Sequence, residues 1–562
     1  MKIQDLSPDT ILSNGQIYTL NPAGSIAQAV AIKEGRIVAV GADAEIATLA
    51  GPHTQRINLG GRSAIPGLFD SHNHLLEVGA KLSAIRLDEC QSPEEMMELV
   101  RQRAKSTPPG EWIVGQGWNE GNWGGRLPTR HDIDPATSEH PVILMRFFNI
   151  DVVNSYALRM AGVDGSTPDP LGGKVERDPS TSFAKHPRGT GQVPSGEPNG
   201  LLRASAKTLA RRLVPLPTLE QNKDSLRLAC REMHRFGITS VVEPGLYPRE
   251  MRAYQSLYQD GELSVRVNLM PSWHGFHDDE DEEALEHRAR ALGTYSGLGD
   301  EWLRVGALKM AIDGGTTSHT AYMYEPYEGD SELVAFNRLE LDALYRYFRS
   351  AQELGWDVGI HCCGDHAQDM AVDTFARVAR DMPHPDARHS IIHGYFPSPR
   401  ALDLMAEHNV AAVLQPTFIY WEGDLLFRDV GERRAQNYKP ARAYLDHGVV
   451  VTASSDVTST VSANPFVALY ALVTRKNKLG QVVAPQQALS REEALRAYTV
   501  AGTWLTREEH LKGAIEVGKL ADIAVLDRDY FAVPDEEIKD IQVDVTLVGG
   551  DVVWEREKSV YV

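Results

Sequence analysis

Two histidines, His72 and His74, close the stretch Ile-Pro-Gly-Leu-Phe-Asp-Ser-His-Asn-His at positions 65–74. In extended backbone, residues i and i+2 point to the same side, so both imidazoles leave one face of a strand end together. Paired imidazoles are donors for a divalent metal ion. By itself the pair reads equally well as two surface side chains, and the rest of the chain has to complete the set. Lys309 in Gly-Ala-Leu-Lys-Met-Ala-Ile-Asp-Gly-Gly, His361, His393, and Asp456 in Val-Thr-Ala-Ser-Ser-Asp each lie in, or end, a separate apolar run. A single histidine at a strand end is more often structural. Six chemically competent groups, each at its own strand or a neighbour, form a candidate metal centre.

Such groups need elements that bring them together. Short apolar runs at 63–69, 238–243, 264–270, 303–311, 357–361, 390–393, 411–415 and 449–455 read as strands, and amphipathic helices separate most of them. Ser92, Thr218, Asn337 and Ser490 each precede a Glu or Gln by three residues, the signature of a capping box, while Gly237 and Gly355 fit helix ends. Eight such units predict an α/β fold, a TIM-type (β/α)8 barrel, whose functional groups sit at the C-terminal ends of the strands.

Both termini carry hairpin signals: Asn14-Gly15, Glu34-Gly35 and Gly549-Gly550 lie within alternating apolar stretches. They predict one small β-sandwich domain built from residues 1–60 and 510–562, around a barrel domain at 61–509. An insertion after the first barrel strand, within 75–237, is too long for a loop. Inside it 112–117 and 141–148 read as strands, and 164–200 reads as an irregular excursion. Insertions of this kind serve as lids or binding elements.

Composition narrows the partners. A net charge of −20 argues against nucleic acid and anionic membrane surfaces. Four cysteines, Cys90, Cys230, Cys362 and Cys363, do not make a disulfide framework in 562 residues. The first residues lack the apolar core of a signal peptide and no apolar run is long enough to span a bilayer, so a soluble cytoplasmic protein is expected.

The motifs at 66–74, 112–118 (Trp-Ile-Val-Gly-Gln-Gly-Trp), 154–158 (Asn-Ser-Tyr-Ala-Leu), 308–314, 360–365 (Ile-His-Cys-Cys-Gly-Asp), 415–417 (Gln-Pro-Thr) and 518–527 together resemble the amidohydrolase superfamily. Within it the chain is similar to the amidohydrolase-3 family, whose members include N-substituted formamide deformylases. The resemblance covers nearly the whole chain. It implies that His72 and His74 hold a more buried zinc ion, and that His361 and His393 hold a second. It also implies that Lys309, carboxylated, bridges the two ions, and that Asp456 binds metal and shuttles the proton. A homodimer is implied as well, since relatives often form one. Carbamate formation is what would turn a lysine ammonium into an anionic oxygen donor suited to zinc. It requires the neutral amine that burial favours.

The sequence departs from the family where substrate is expected. Arg146 to Asn154 lacks the Gly-His of relatives and leaves Asn149 or Asp151 as the stand-in; His319 stands where relatives often have Arg; Cys362 and Cys363 replace small apolar residues. With Trp118, Trp123 and Gln415, the residues Asn149, His319 and Cys362 are the expected substrate contacts. Phe147, Phe148, Tyr420 and Trp421 add aromatic surface. The expected reaction is hydrolysis of a carbon–nitrogen amide bond in a small molecule, an N-substituted formamide or a similar N-acyl amide. The alternatives are a deaminase or cyclic-amide hydrolase on the same scaffold, and a non-catalytic ligand-binding or regulatory protein. Lys309 leans against the single-metal deaminase, and the complete ligand set against the non-catalytic reading.

Overall fold

Gly67 divides the stretch that the sequence presents as one strand. A Cβ there would stand 2.3 Å from the Thr239 hydroxyl, so only glycine lets the chain pass. Before it, Ser63–Pro66 pairs with Ile523–Leu526; after it, Leu68–Asp70 pairs with Ile238–Leu246. The computed structural model describes residues 7–146, 150–170, 173–178, 183–185, 192–194, 196–274, 290–317, 319–329, 340–457, 459–460 and 462–556.

Eight parallel strands form a nearly closed barrel. In chain order they are β1 (Leu68–Asp70), β2 (Ile238–Leu246), β3 (Arg266–His274), β4 (Leu308–Ala311), β5 (Val358–Cys362), β6 (Ser390–His393), β7 (Ala411–Leu414) and β8 (Val451–Ala453), each hydrogen-bonded to the next. The ring is drawn together where β8 meets β1. There the Ser71 amide donates to the Ala453 carbonyl at 3.3 Å, and the Asp456 amide donates to the His72 carbonyl at 2.9 Å. The expected strand at 303–311 is broken as well: Leu303–Val305 and β4 both lie along β3, with Gly306 between them packed on Asn268. Phe69, Val242, Met270, Ile392 and Val413 fill the interior. Burying each such side chain contributes about 1.5–3 kcal/mol.

The terminal segments form two facing sheets. One has the order 36–41, 29–33, 10–13, 55–58, and the other 551–555, 543–548, 523–526, 63–66, 16–18, 26–27. Leu12, Val30, Ile32 and Ile57 of the first share one apolar core with Ile17, Ala64, Val525 and Leu547 of the second. The turns at Glu34-Gly35 (φ 50° and 75°) and Gly549-Gly550 (φ 57° and 82°) are left-handed at both residues, as two-residue hairpins require.

Residues 77–228 form a second compact unit. Its six-stranded sheet has the order 173–177, 198–204, 150–153, 142–146, 113–118, 85–86. Val142 and Leu144 pack on the helix Pro93–Ala104, while Ile143 and Val153 pack with Leu158 and Ala210 on the other face. Burial on both faces explains the unbroken apolar run Val142-Ile143-Leu144-Met145. Gly173–Arg177 is a strand inside the stretch expected to be irregular. Only Val175 of its five residues is buried, so the sequence carries no alternation to reveal it. Ser490 and Thr218 form the expected capping boxes; Asn337 lies outside the described residues.

Candidate metal centre

Asp70, the last residue of β1, fixes the end of the barrel on which the candidate residues gather. Its fully buried carboxylate accepts from the Ser455 amide (3.0 Å), the Ser455 hydroxyl (2.6 Å), Asn73 Nδ2 (2.9 Å) and the His72 amide (3.3 Å). The segments after β1 and β8 are thereby tied together. The Asn73 amide bonds the Val242 carbonyl and the His74 amide bonds the Val457 carbonyl, both at 2.9 Å. The backbone pays for this placement: His393 and Asp456 have φ of 80° and 53°. Non-glycine residues hold such conformations at a cost of about 1–3 kcal/mol each, and they do so where surrounding structure imposes them.

Two groups of three donors result. His72, His74 and Asp456 bring ligating atoms within 4.8 Å of one another, and so do His361, Cys363 and His393. Asp456 Oδ1 lies 3.5 Å from His72 Nε2 and 3.2 Å from His74 Nε2. Around a tetrahedral ion with bonds of about 2.0–2.1 Å, neighbouring donors stand about 3.3–3.4 Å apart, so these separations fit a metal ion. The groups adjoin: the rings of His72 and His393 are 5.7 Å apart and those of His361 and His393 are 4.2 Å apart. His72 Nδ1 is buried and finds no hydrogen-bond partner among the described residues.

The electrostatics favour the neutral, ligating forms. Burial, then the charge of Lys309, holds His72 well below the ordinary imidazole range. Burial, then His361 and Lys309, does the same to His393. Lys309 on β4 is buried, and burial pulls its amine down to about 8 against the opposing pull of Asp456. A metal ligand must be deprotonated, so this environment suits a metal centre.

Behind His393 lies a built support. His393 Nδ1 is 2.7 Å from Gln415 Oε1, which also accepts from Lys439 Nζ at 3.3 Å. The Gln415 amide nitrogen faces the Val413 carbonyl (3.0 Å) and the Ser454 hydroxyl (3.2 Å). With donors on one side and acceptors on the other, the amide has one satisfactory orientation. His393 therefore carries its proton on Nδ1 and its lone pair on Nε2. The Lys439 ammonium sits 3.6 Å from the centre of the Tyr395 ring, and burial pulls it down to about 7.

The expected substrate contacts are scattered. Gln415 is fully buried behind His393, and Cys362 is fully buried within β5, so neither presents a face to a ligand. Trp118 is fully buried in the core of the 77–228 unit, where its Nε1 donates to the Leu144 carbonyl at 2.9 Å. Trp123 packs on that same core and donates to the Arg126 carbonyl at 2.8 Å. Asp151 is bound by Arg211 at 2.6 and 2.9 Å, while Asn149, Phe147 and Phe148 lie outside the described residues. His319 is partly open, stacks on Tyr327 at 4.3 Å, and has Nε2 3.3 Å from the buried Asp429 carboxylate. Tyr327 belongs to an apolar wall with Cys363, Tyr395, Phe396 and Tyr438, against which Tyr420 packs.

Three contributors escaped the sequence reading: Asp70, Asp313 and Lys439. Asp313 accepts from the amides of Cys363 (3.1 Å), Gly364 (2.7 Å) and Tyr322 (3.0 Å) and so shapes the turn after β5. Cys363, expected from the sequence where substrate meets the site, stands two residues beyond His361 as His74 stands two beyond His72.

Comparison with known proteins identifies the family of the chain. Residues 55–554 match the sequence model of the amidohydrolase family. The chain is 26% identical to an N-substituted formamide deformylase of Arthrobacter pascens, over 98% of this chain and 99% of that one. It is 27% identical to a putative amidohydrolase, YtcJ, of Bacillus subtilis, over 97% and 99%. A crystal structure of an uncharacterised metal-dependent hydrolase from Pyrococcus furiosus superposes with a TM-score of 0.73 at 26% identity, covering 93% of this chain and 99% of that one.

Proposed function

Since the chain belongs to the amidohydrolase family, we propose that it hydrolyses the amide bond of an N-substituted formamide or a closely similar N-acyl amide. The observation that carries this reading is the pair of adjoining three-donor groups on the barrel's C-terminal end, with buried Lys309 beside them. The full-length likeness to a formamide deformylase supports the choice of substrate.

His72, His74 and Asp456 would hold one zinc ion and His361 and His393 a second, with Lys309, as its carbamate, between them. Bound zinc supplies acidity to water and polarises a carbonyl oxygen. Asp456 takes the proton released by the attacking water and delivers it to the leaving nitrogen, without which the amine departs poorly. Its backbone, tied to His72 and held in the left-handed region, keeps the carboxylate on the two imidazoles. Tyr420, partly open and packed on the buried cluster of Tyr327, Tyr395 and Phe396, offers an aromatic face that suits an apolar or aromatic N-substituent.

The test is release of benzylamine from N-benzylformamide by zinc-loaded protein, followed by mass spectrometry, with Asp456→Asn as control. We expect release by the wild type, and a fall of about 10²–10⁴-fold in the variant with its metal content retained. Equal release by the two proteins would remove Asp456 from the proton path. No release by either would remove the formyl specificity.

A further inference from the structure

We propose that Cys363 is a metal ligand, joining His361 and His393 in a thiolate-bearing site for a zinc-class ion. The proposal rests on the metal-centre reading of those two histidines and adds a donor of different chemistry. Cys363 Sγ lies 3.4 Å from His361 Nε2. A tetrahedral ion with a metal–sulfur bond of about 2.3 Å and a metal–nitrogen bond of about 2.0–2.1 Å sets those donors about 3.5 Å apart. All three side chains are buried, and their ligating atoms lie within 4.8 Å of one another.

The thiol is aimed by the backbone. Residues 361 and 363 stand in the i, i+2 relation that gives two side chains one face at a strand end. The carboxylate of Asp313 holds the amides of both Cys363 and Gly364. At Gly364 a Cβ would stand 1.9 Å from the Tyr322 carbonyl oxygen, so glycine alone admits this turn.

The other cysteines serve as internal controls. Cys90 is buried among Met96, Met97 and Trp118, Cys230 is buried elsewhere, and Cys362 lies inside β5. None of the three belongs to a metal-ligating group among the described residues. Apolar packing alone would explain a buried thiol, as it does for Cys90. It does not explain a sulfur 3.4 Å from an imidazole nitrogen, a separation that a thiol hydrogen bond sets without metal and that a shared ion would keep. His361 Nε2 also stands 3.0 Å from the Gly314 carbonyl oxygen, and ligation needs its proton on Nδ1.

Coordination would break the S–H bond, form a sulfur–metal bond and release one proton to solvent, with no change of oxidation state. The two halves of the centre would then differ. His72, His74 and Asp456 offer nitrogen and oxygen, whereas His361, Cys363 and His393 offer nitrogen and sulfur. The softer set selects zinc, cobalt or cadmium over magnesium or manganese.

The test strips the full-length protein with chelator, reloads it with cobalt(II) and records the absorption spectrum. Wild type and Cys362→Ala should both show the intense near-ultraviolet band of thiolate-to-cobalt charge transfer. Cys363→Ser should lose it and bind one equivalent of cobalt about tenfold or more weakly. X-ray absorption of the zinc-loaded wild type, which needs no variant to fold, should show sulfur at about 2.3 Å. A band that survives in Cys363→Ser, or a zinc spectrum with nitrogen and oxygen neighbours alone, would overturn the proposal while leaving the metal centre intact. Failure of the wild type to take up metal would overturn both.

Discussion

The two ends of the barrel bury charge in opposite ways. At the N-terminal end, opening β3, the Arg266 guanidinium donates to Asp522 at 2.7 and 3.0 Å, both side chains buried. Asp357, just before β5, accepts from Arg507 (2.8 Å) and from the Arg388 amide (2.8 Å), and Arg388 itself pairs with Glu509 (2.8 Å). Despite its burial, Arg266 is held above its ordinary range, with Asp522 as the chief opposing influence. At the C-terminal end Lys309, His72 and His393 are all pushed toward neutrality, chiefly by burial. His393 and Asp456 hold left-handed backbone there. Charge at the first end is fully answered and stabilises the fold. At the second it is held toward the neutral forms in which histidine and lysine can act as ligands.

The sharpest way to break this contrast is at the saturated end. Asp522→Ala leaves the Arg266 guanidinium buried and unanswered, and should cost about 3–5 kcal/mol in urea unfolding. The kcat of the folded protein should stay at the wild-type value. A matching loss of kcat would mean that the two ends are not separable.

The poised end should show itself through pH. In metal-free protein Lys309 titrates near 8, against an ordinary lysine value of 10.5. Between those values the unfolded chain holds more protons than the folded one, so stability rises with pH. The gain, about 3 kcal/mol, is complete above 10.5 and is lost as pH falls through 8. Lys309→Met should remove its share of that rise and leave the share of Lys439, which burial pulls down to about 7, and identical pH profiles of unfolding for the two proteins would contradict the assignment.

A smaller effect sharpens the comparison. Lys439→Met removes a buried charge and frees Gln415 from one of its donors. Stability should hold or rise, because a buried cation is replaced by an apolar chain of similar length. Zinc affinity should fall about 10–100-fold through the loosened Gln415 and His393, as read by competition with a chromogenic chelator. A drop in stability with affinity unchanged would make Lys439 a packing residue alone.

What the sequence disclosed follows from how local the signal was. His72 and His74 were legible because period-two geometry needs only three residues, and His361, His393 and Asp456 because each closes an apolar run. The eight-strand barrel was legible in the same runs, but the break at Gly67 was not, since the residues on both sides are equally apolar and buried. Gln415 and Trp118 looked like substrate contacts because a polar or aromatic side chain at a strand end reads alike whether it faces a cleft or a core. Lys439 offered no local pattern: its contacts with Gln415 and Tyr395 bridge 24 and 44 residues.

Diffraction from zinc-soaked crystals, measured at the zinc absorption edge, tests the central claim most directly. Two anomalous peaks are expected at the C-terminal end of the barrel, one among His72, His74 and Asp456 and one against His361 and His393. Zinc found only elsewhere, or no ordered zinc in crystals of active protein, would contradict it.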